Sequence, residues 1–369
     1  MLSRQSQRTV PKYKELFESL KADILSGRYK PGQKLPSEAA LVNKSGASRI
    51  TVTRAIRELQ NLNLVDRVAG SGTYVRDAHA CNRPYLFGLL IPDLGETEIF
   101  EPVCRGIANA PEASEHALLW GSAGAQMSKV QQAWHLCQQY IAKSVSGVFF
   151  APLEFERDAV KVNARIVSAL RNANIPIVLL DRRAANVAER SRPDLVALNN
   201  RQAGYVATEH LIHLGCRRIG FLGYHGTASS IQDRLEGYKE ALIANGLRPI
   251  VEEAQDAPDN TRILSGRNKR DAVEAFVCVN DRVAGQLMQI FLARGMRIPE
   301  DIRIVGMDDV SYATLLPVPL TTIRQPTHDI GEAALGVMLD RIRNPHRSPR
   351  EILLDGELIV RKSCGADLE

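Results

Sequence analysis

From Tyr85 onward, short apolar runs alternate with longer amphipathic stretches, and this alternation constrains the fold more than any other feature. The runs Leu86–Ile91, Leu118–Gly121, Gly147–Ala151 and Ile177–Leu180 are apolar throughout. Strands covered on both faces need that composition, whereas half-exposed strands alternate. Val196–Leu198, Arg218–Leu222, Ala275–Val279 and Ile302–Val305 continue the series. Helical periods separate most of them, at Lys129–Lys143, Arg201–Leu214, Leu235–Asn245 and Asp281–Arg294. Strand–helix–strand order of this kind predicts an α/β fold with doubly wound, mostly parallel sheets, and there are enough strands for two. Glu351–Lys362 reads as a terminal pair of strands around Asp355-Gly356.

The first 76 residues follow another pattern. Tyr13–Ser26 has apolar residues at helical spacing and stops at Gly27. Ser37 is placed to cap a short second helix reaching about Asn43, and Ser48 to cap a third, Arg49–Asn61, with Val52, Ile56 and Leu59 inward. Leu64–Arg67 and Thr73–Arg76 read as two short strands around Ala69-Gly70-Ser71-Gly72. Three helices and a hairpin make a winged helix-turn-helix. The polar stretch 77–84 is the linker to a second domain, 85–369.

Charge separates the same two parts. The chain has 47 Lys+Arg and 42 Asp+Glu, net +5; residues 1–76 hold 14 and 6, so +8, and the rest 33 and 36, so −3. A basic module ahead of a mildly acidic body suggests a polyanion at one end only. The apolar runs fall far short of the ~20 residues that span a bilayer, and Met1–Lys14 has no apolar core, so a cytoplasmic protein without membrane contact is expected. The six cysteines form no C-x-x-C pair and read as scattered thiols. His210 and His213 share a helix face, but no cysteine or carboxylate joins them at ligand spacing, so no metal and no cofactor is expected.

A recognition helix reads bases from its first turns. Arg49 offers a bidentate fork for guanine, and the hydroxyls of Ser48 and Thr51 suit phosphate oxygens. Gly70 and Gly72 allow a wing to approach DNA closely. The stretch Leu35-Pro36-Ser37-Glu38, Ser48-Arg49, Thr51-Val52, Arg54-Ala55, Gly70 and Gly72-Thr73 resembles the GntR family over residues 11–76. The resemblance implies base contact by Arg49 and backbone contact by Thr51 and Gly70; Ser37, Ser48, Thr53, Arg54 and Gly72 complete the expected DNA-binding set. Ala39 and Thr53 stand where the family often has arginine, and Ser45 where it has an aromatic residue.

The body resembles the LacI/GalR effector-binding core, related to periplasmic sugar-binding proteins. The matches include Phe87 to Asp93, Ile175 to Val178 before Asp181-Arg182, Arg234 with Gly237-Tyr238, Asn280-Asp281, and the string from Ile298 to Gln325. A GntR head on such a core is the arrangement of arabinose-type repressors. The resemblance implies two lobes joined by crossings near Asp181, 307–309 and 324–326, with strand ends facing a cleft. A sugar needs planar polar groups for its hydroxyls and an aromatic face for its C–H side. Arg234, Asp281 and Asn280 supply the former and Phe100 the latter, with Asp181, Arg182 and Asp308 near the hinge. Each has a structural alternative: Asp281 would cap its helix, and Asp181 would pair with Arg182.

The expected function is a ligand-responsive repressor of carbohydrate-utilisation genes, a homodimer released from double-stranded operator DNA by a sugar, with a pentose such as arabinose as the best guess. The alternative is a core that answers a co-repressor metabolite or a protein partner. An enzyme is not expected, because no nucleophile–base pair, P-loop or metal set has usable spacing. A transport protein is opposed by the basic head.

Overall fold

The computed structural model describes residues 12–366 apart from 31, 63, 69–70, 76–83, 93, 95–97, 122–126, 155, 157, 185–191, 225–227 and 255–271. It divides into two compact units, Met1–Pro84 and Tyr85–Glu369. The linker expected at 77–84 lies almost wholly outside the described residues.

The first unit has three helices and a two-stranded wing: α1 (Lys12–Leu25), α2 (Glu38–Ser45), α3 (Arg49–Asn61), β1 (Val65–Val68) and β2 (Gly72–Val75). The Ser37 side chain accepts from Ala40 N at 3.2 Å, and that of Ser48 accepts from Thr51 N at 3.3 Å, so both expected caps satisfy free helix donors. Gly46 closes α2 in the left-handed region and donates to Val42 O, which carries the helix two residues past its expected end. Val52, Ala55, Ile56 and Leu59 form the buried stripe of α3, against Leu20 and Ile24 of α1, Leu41 of α2, and Val65 and Val75 of the wing.

The second unit holds two six-stranded sheets. The amino-lobe sheet is built from β3 (Leu86–Leu90), β4 (Ala117–Trp120), β5 (Gly147–Phe150), β6 (Ile177–Leu180), β7 (Asp194–Leu198) and β13 (Glu351–Leu354), in the order β13-β7-β6-β5-β3-β4, all parallel. The carboxyl-lobe sheet takes β8 (Ile219–Tyr224), β9 (Ile250–Ala254), β10 (Ala275–Cys278), β11 (Arg303–Asp308), β12 (Thr321–Arg324) and β14 (Glu357–Ile359), in the order β14-β12-β11-β10-β8-β9. Only β14 runs antiparallel to its neighbour. The strands of the sheet interiors, such as β5, β6 and β10, are buried along their whole length, as their unbroken apolar composition requires.

The helices are α4 (Phe100–Asn109), α5 (Lys129–Ala142), α6 (Ala159–Asn172) and α10 (Thr327–Arg343) on the amino lobe, and α7 (Asn200–His213), α8 (Ser229–Ala244) and α9 (Asp281–Ala293) on the carboxyl lobe. Two helix pairs pack backbone against backbone through glycine. A Cβ on Gly237 would lie 1.8 Å from Arg201 O, and one on Gly204 2.0 Å from Arg234 O, so any side chain would push α7 and α8 apart. Gly106 and Gly331 make the equivalent contact between α4 and α10.

The chain changes lobe between β7 and α7, between β12 and α10, and between β13 and β14. Two expected crossings need correction. Asp181 leads from β6 to β7 within one sheet, and 307–309 ends β11 ahead of β12 within the other. Asp181, Asp308 and Asp309 all have positive φ, which marks them as sharp strand-end turns rather than hinges. The terminal strands β13 and β14 belong to different sheets, so Asp355-Gly356 is a crossing rather than a hairpin turn. Asn199 Nδ2 donates to Asp355 Oδ1 at 2.8 Å and ties two crossings together.

Candidate functional site

In the first unit, α3 turns a polar face outward. Arg49 at its first position has a side chain 86% exposed. Ser48 Oγ lies 2.8 Å from Thr51 Oγ1, so the two hydroxyls expected at phosphates sit together at the helix N-terminus, where backbone N–H groups also favour an anion. Other expected contacts are engaged within the protein. Thr53 Oγ1 donates to Glu38 Oε2 at 3.2 Å, and the Arg54 guanidinium lies 3.9 Å over the Tyr13 ring. Ser37 is occupied as a helix cap. Gly72 has φ 135°, and a Cβ there would meet Lys34 Cε at 2.5 Å, so the wing strand needs glycine for its own geometry. Gly70 lies outside the described residues. Sequence reasoning missed Glu38, whose carboxylate holds Arg67 at 2.7 Å and lies 3.9 Å from Arg49. That carboxylate ties α2 to α3 and to β1.

In the second unit, the expected ligand residues converge at strand C-terminal ends, where open α/β sheets bind ligands. From the amino lobe, Arg182 follows β6. Its side chain is 4% exposed, and it pairs with Asp181 Oδ2 at 2.8 Å and with Glu154 beyond β5. The other carboxylate oxygen of Asp181 is buried without a hydrogen-bond partner. From the carboxyl lobe, Arg234 projects from α8 with its side chain 6% exposed. It donates to Asn200 Oδ1 at 2.7 Å, to the carbonyl of Val279, and to Asp308 Oδ1 at 3.4 Å. Gln325 donates to the same Asp308 oxygen at 2.7 Å. Burial raises the Asp308 pKa; Asp181 adds to the rise and Arg182 opposes it, so charges of the two lobes act on each other.

The remaining expectations are redistributed. Asn280, not Asp281, caps α9, accepting from Val283 N at 2.9 Å. Asp281 is fully buried and works as a brace: Oδ1 accepts from Thr322 Oγ1 at 2.6 Å and Oδ2 from Val310 N at 3.0 Å. Burial, with repulsion from Asp308, pushes its carboxyl up to about 8. The Phe100 ring is buried in the amino-lobe core with the Arg182 guanidinium 5.8 Å from its centroid, so it does not present the free aromatic face expected of it. Residues absent from the expected set bridge the lobes. Arg183 donates through its backbone N to Ser229 Oγ at 2.9 Å and through its side chain to Asp233 at 2.7 Å, while Glu351 holds its other edge. Ser311 N donates to Glu98 at 2.6 Å. Such pairs join residues far apart in sequence, and no local pattern announces them.

Among the described residues, one trio of metal-ligand type lies together, the exposed His328, Asp329 and Glu332; it does not include His210 or His213. Among those residues no helix is long and apolar enough to cross a membrane.

Comparison with known proteins places both units. Residues 12–75 match the family of bacterial regulatory proteins of the gntR type, and residues 208–364 match a periplasmic binding protein-like domain. The arabinose metabolism transcriptional repressor of Geobacillus stearothermophilus is 30% identical, over 97% of this chain and 98% of its own. An HTH-type transcriptional repressor PurR of Photobacterium profundum is 26% identical, over 85% and 92%. Among solved structures, a LacI family transcriptional regulator from Enterococcus faecium with bound ribose shares the fold, with a TM-score of 0.59 at 23% identity, covering 75% of this chain and 98% of that one. A DNA-binding head with exposed cations, a two-lobed core with charges at its strand ends, and similarity along nearly the whole chain lead to one assignment: the chain belongs to the GntR-headed transcriptional repressors with a periplasmic-binding-protein-like core, the family of the arabinose metabolism repressor.

Proposed function

We propose that the chain represses carbohydrate-utilisation genes as a homodimer and leaves its operator when a sugar, a pentose foremost, enters the cleft. The observation that carries this reading is the charged constellation at the strand ends. Arg182, Arg234, Asp308 and Asp181 are held within it by partner bonds, and Asp181 keeps one buried oxygen unpartnered. A vicinal diol satisfies such a set, because its hydroxyls donate to carboxylates and accept from guanidinium groups in the same plane. Asn280 adds an amide at the edge, and Asp281 fixes the turn that carries Asp308. Phe100 acts under Arg182 as a floor. The arabinose repressor among the relatives and the ribose held by a structural neighbour point to the same ligand class.

Coupling follows from the crossings. Sugar favours the closed lobes, and a coupling of ~1–3 kcal/mol between cleft and head suffices for a useful switch. Two heads on a dimer address two half-sites about one helical turn apart or a multiple of it. The test is fluorescence anisotropy of the full chain with DNA from upstream of its own gene, titrated with pentoses, hexoses and glycosides. Release by a pentose is the expected result. Specific binding that no sugar alters would transfer the proposal to a co-repressor metabolite or a protein partner.

A further inference from the structure

The outward face of α3 contains one residue that solvent exposure alone does not explain. Ile50 is 83% exposed, more than any other large apolar side chain among the described residues. It belongs to the series Ile50, Thr53, Arg54 and Arg57, at i, i+3, i+4 and i+7, and these line one concave surface together with Arg49 and Glu58. The opposite face already supplies the complete core stripe, so Ile50 contributes nothing to folding. A β-branched aliphatic side chain in water also forms helix less readily than the polar residues around it. Its neighbours define the partner. Arg49, Arg54 and Arg57 surround it with positive charge, on a head that carries +8 over residues 1–76, so the complementary surface is a polyanion rather than an apolar protein face. Thr53 and Arg54 are tied to Glu38 and Tyr13, which leaves the first turn to make the closest approach.

We infer that Ile50 reads the C5-methyl group of a thymine in the major groove. Of the groups that base pairs present there, that methyl is the apolar one; the others are hydrogen-bond donors and acceptors that an isoleucine cannot satisfy. Ile50 follows Arg49 by a single helical rise of about 1.5 Å, against about 3.4 Å between base pairs, so the two side chains address the same or adjacent pairs. Arg49 supplies a polar reading and Ile50 an apolar one. The inference rests on the assignment of α3 as the DNA-reading helix.

The experiment uses the full chain and a random-sequence duplex library. Duplexes recovered by binding are resynthesised with deoxyuridine replacing each thymidine in turn, which removes only the methyl group. At one thymine or more, the replacement is expected to weaken wild-type binding about fourfold, the factor corresponding to one buried methyl-sized group. Ile50→Ala is expected to bind the thymine and uracil duplexes alike, and Ile50→Val to keep most of the difference. The salt dependence of binding should be unchanged in Ile50→Ala, because the side chain it removes carries no charge, whereas Arg49→Ala should relax the preference for guanine at its own position. If wild type and Ile50→Ala lose the same factor at every thymine, or if no uracil replacement affects wild type, the inference is overturned while the DNA assignment stands. If no duplex is enriched at all, the DNA assignment of α3 falls and takes the inference with it.

Discussion

Helix α3 of the head and the strand-end site of the core both use arginine, in opposite ways. Arg49 reaches into solvent from the first turn of α3, while Arg182 and Arg234 are almost fully enclosed and bonded to carboxylates and carbonyls. The difference fits the ligands proposed for the two sites, DNA for α3 and a sugar for the cleft. DNA is a high-density polyanion whose binding gains from releasing counterions, so its contacts can stay solvated until they meet it. A neutral sugar offers only hydroxyl geometry, and polar groups that recognise it must be fixed beforehand or their ordering would consume the gain. Exposed cations are therefore dispensable for folding, and buried ones are not.

The comparison breaks first, if it breaks, at Arg234. Arg234→Ala leaves Asp308 with a weakened partner set and strips bonds from Asn200 and Val279, so unfolding stability should fall by about 3–5 kcal/mol in denaturant titrations, with the effector response lost. A smaller effect is expected at Asp281. Its folded-state pKa stands above the unfolded value, so the native state is favoured while the group is protonated and loses that advantage as pH rises from about 4 towards about 8. Asp281→Asn keeps an acceptor for Val310 N and a donor for Thr322, so it should match wild type near pH 4 and exceed it at pH 8.5. A melting temperature independent of that substitution at high pH would show the brace to be ionised at no cost. Arg49→Ala should change stability by less than about 0.5 kcal/mol yet cost ~1–3 kcal/mol of specific DNA affinity in anisotropy. The mildest effect is predicted at the lobe bridge. Arg183 and Asp233 are half-exposed, and such pairs contribute under about 1 kcal/mol. Arg183→Ala should then weaken sugar binding two- to fivefold in calorimetry at low salt, and high salt should erase the difference.

Much of this was legible in the sequence. The limits of α3 and β6 coincide with the expected ones, because a caps-plus-stripe helix and an unbroken apolar run are strong local signals. The start of α8 was not: it begins at Ser229, well before the expected Leu235, because its first turns are polar while Ser230 and Arg234 are buried. Buried charge mimics surface in a sequence, so the start of this helix was hidden. Two of the three crossings, at Asp181 and 307–309, were misplaced for a related reason. Aspartates at strand tips read as breaks in the chain path, and only the sheet each strand joins reveals where the path changes lobe. Glu38 escaped because its partners lie on other elements, Arg49 and Thr53 on α3 and Arg67 on β1.

The three passages between lobes also fix an order of events during synthesis. The amino lobe receives α10 and β13 only after the whole carboxyl-lobe sheet except β14 has been made. Until then its sheet ends at β7, and the faces that α10 will cover, around Phe87, Phe149 and Val178, stay open. At about 5–20 residues per second, the 129 residues from Leu198 to Pro326 hold that surface unfinished for several seconds or more. The half of the core that leaves the ribosome first therefore stays open while nearly all of the other half is made, and that interval exposes apolar surface to aggregation.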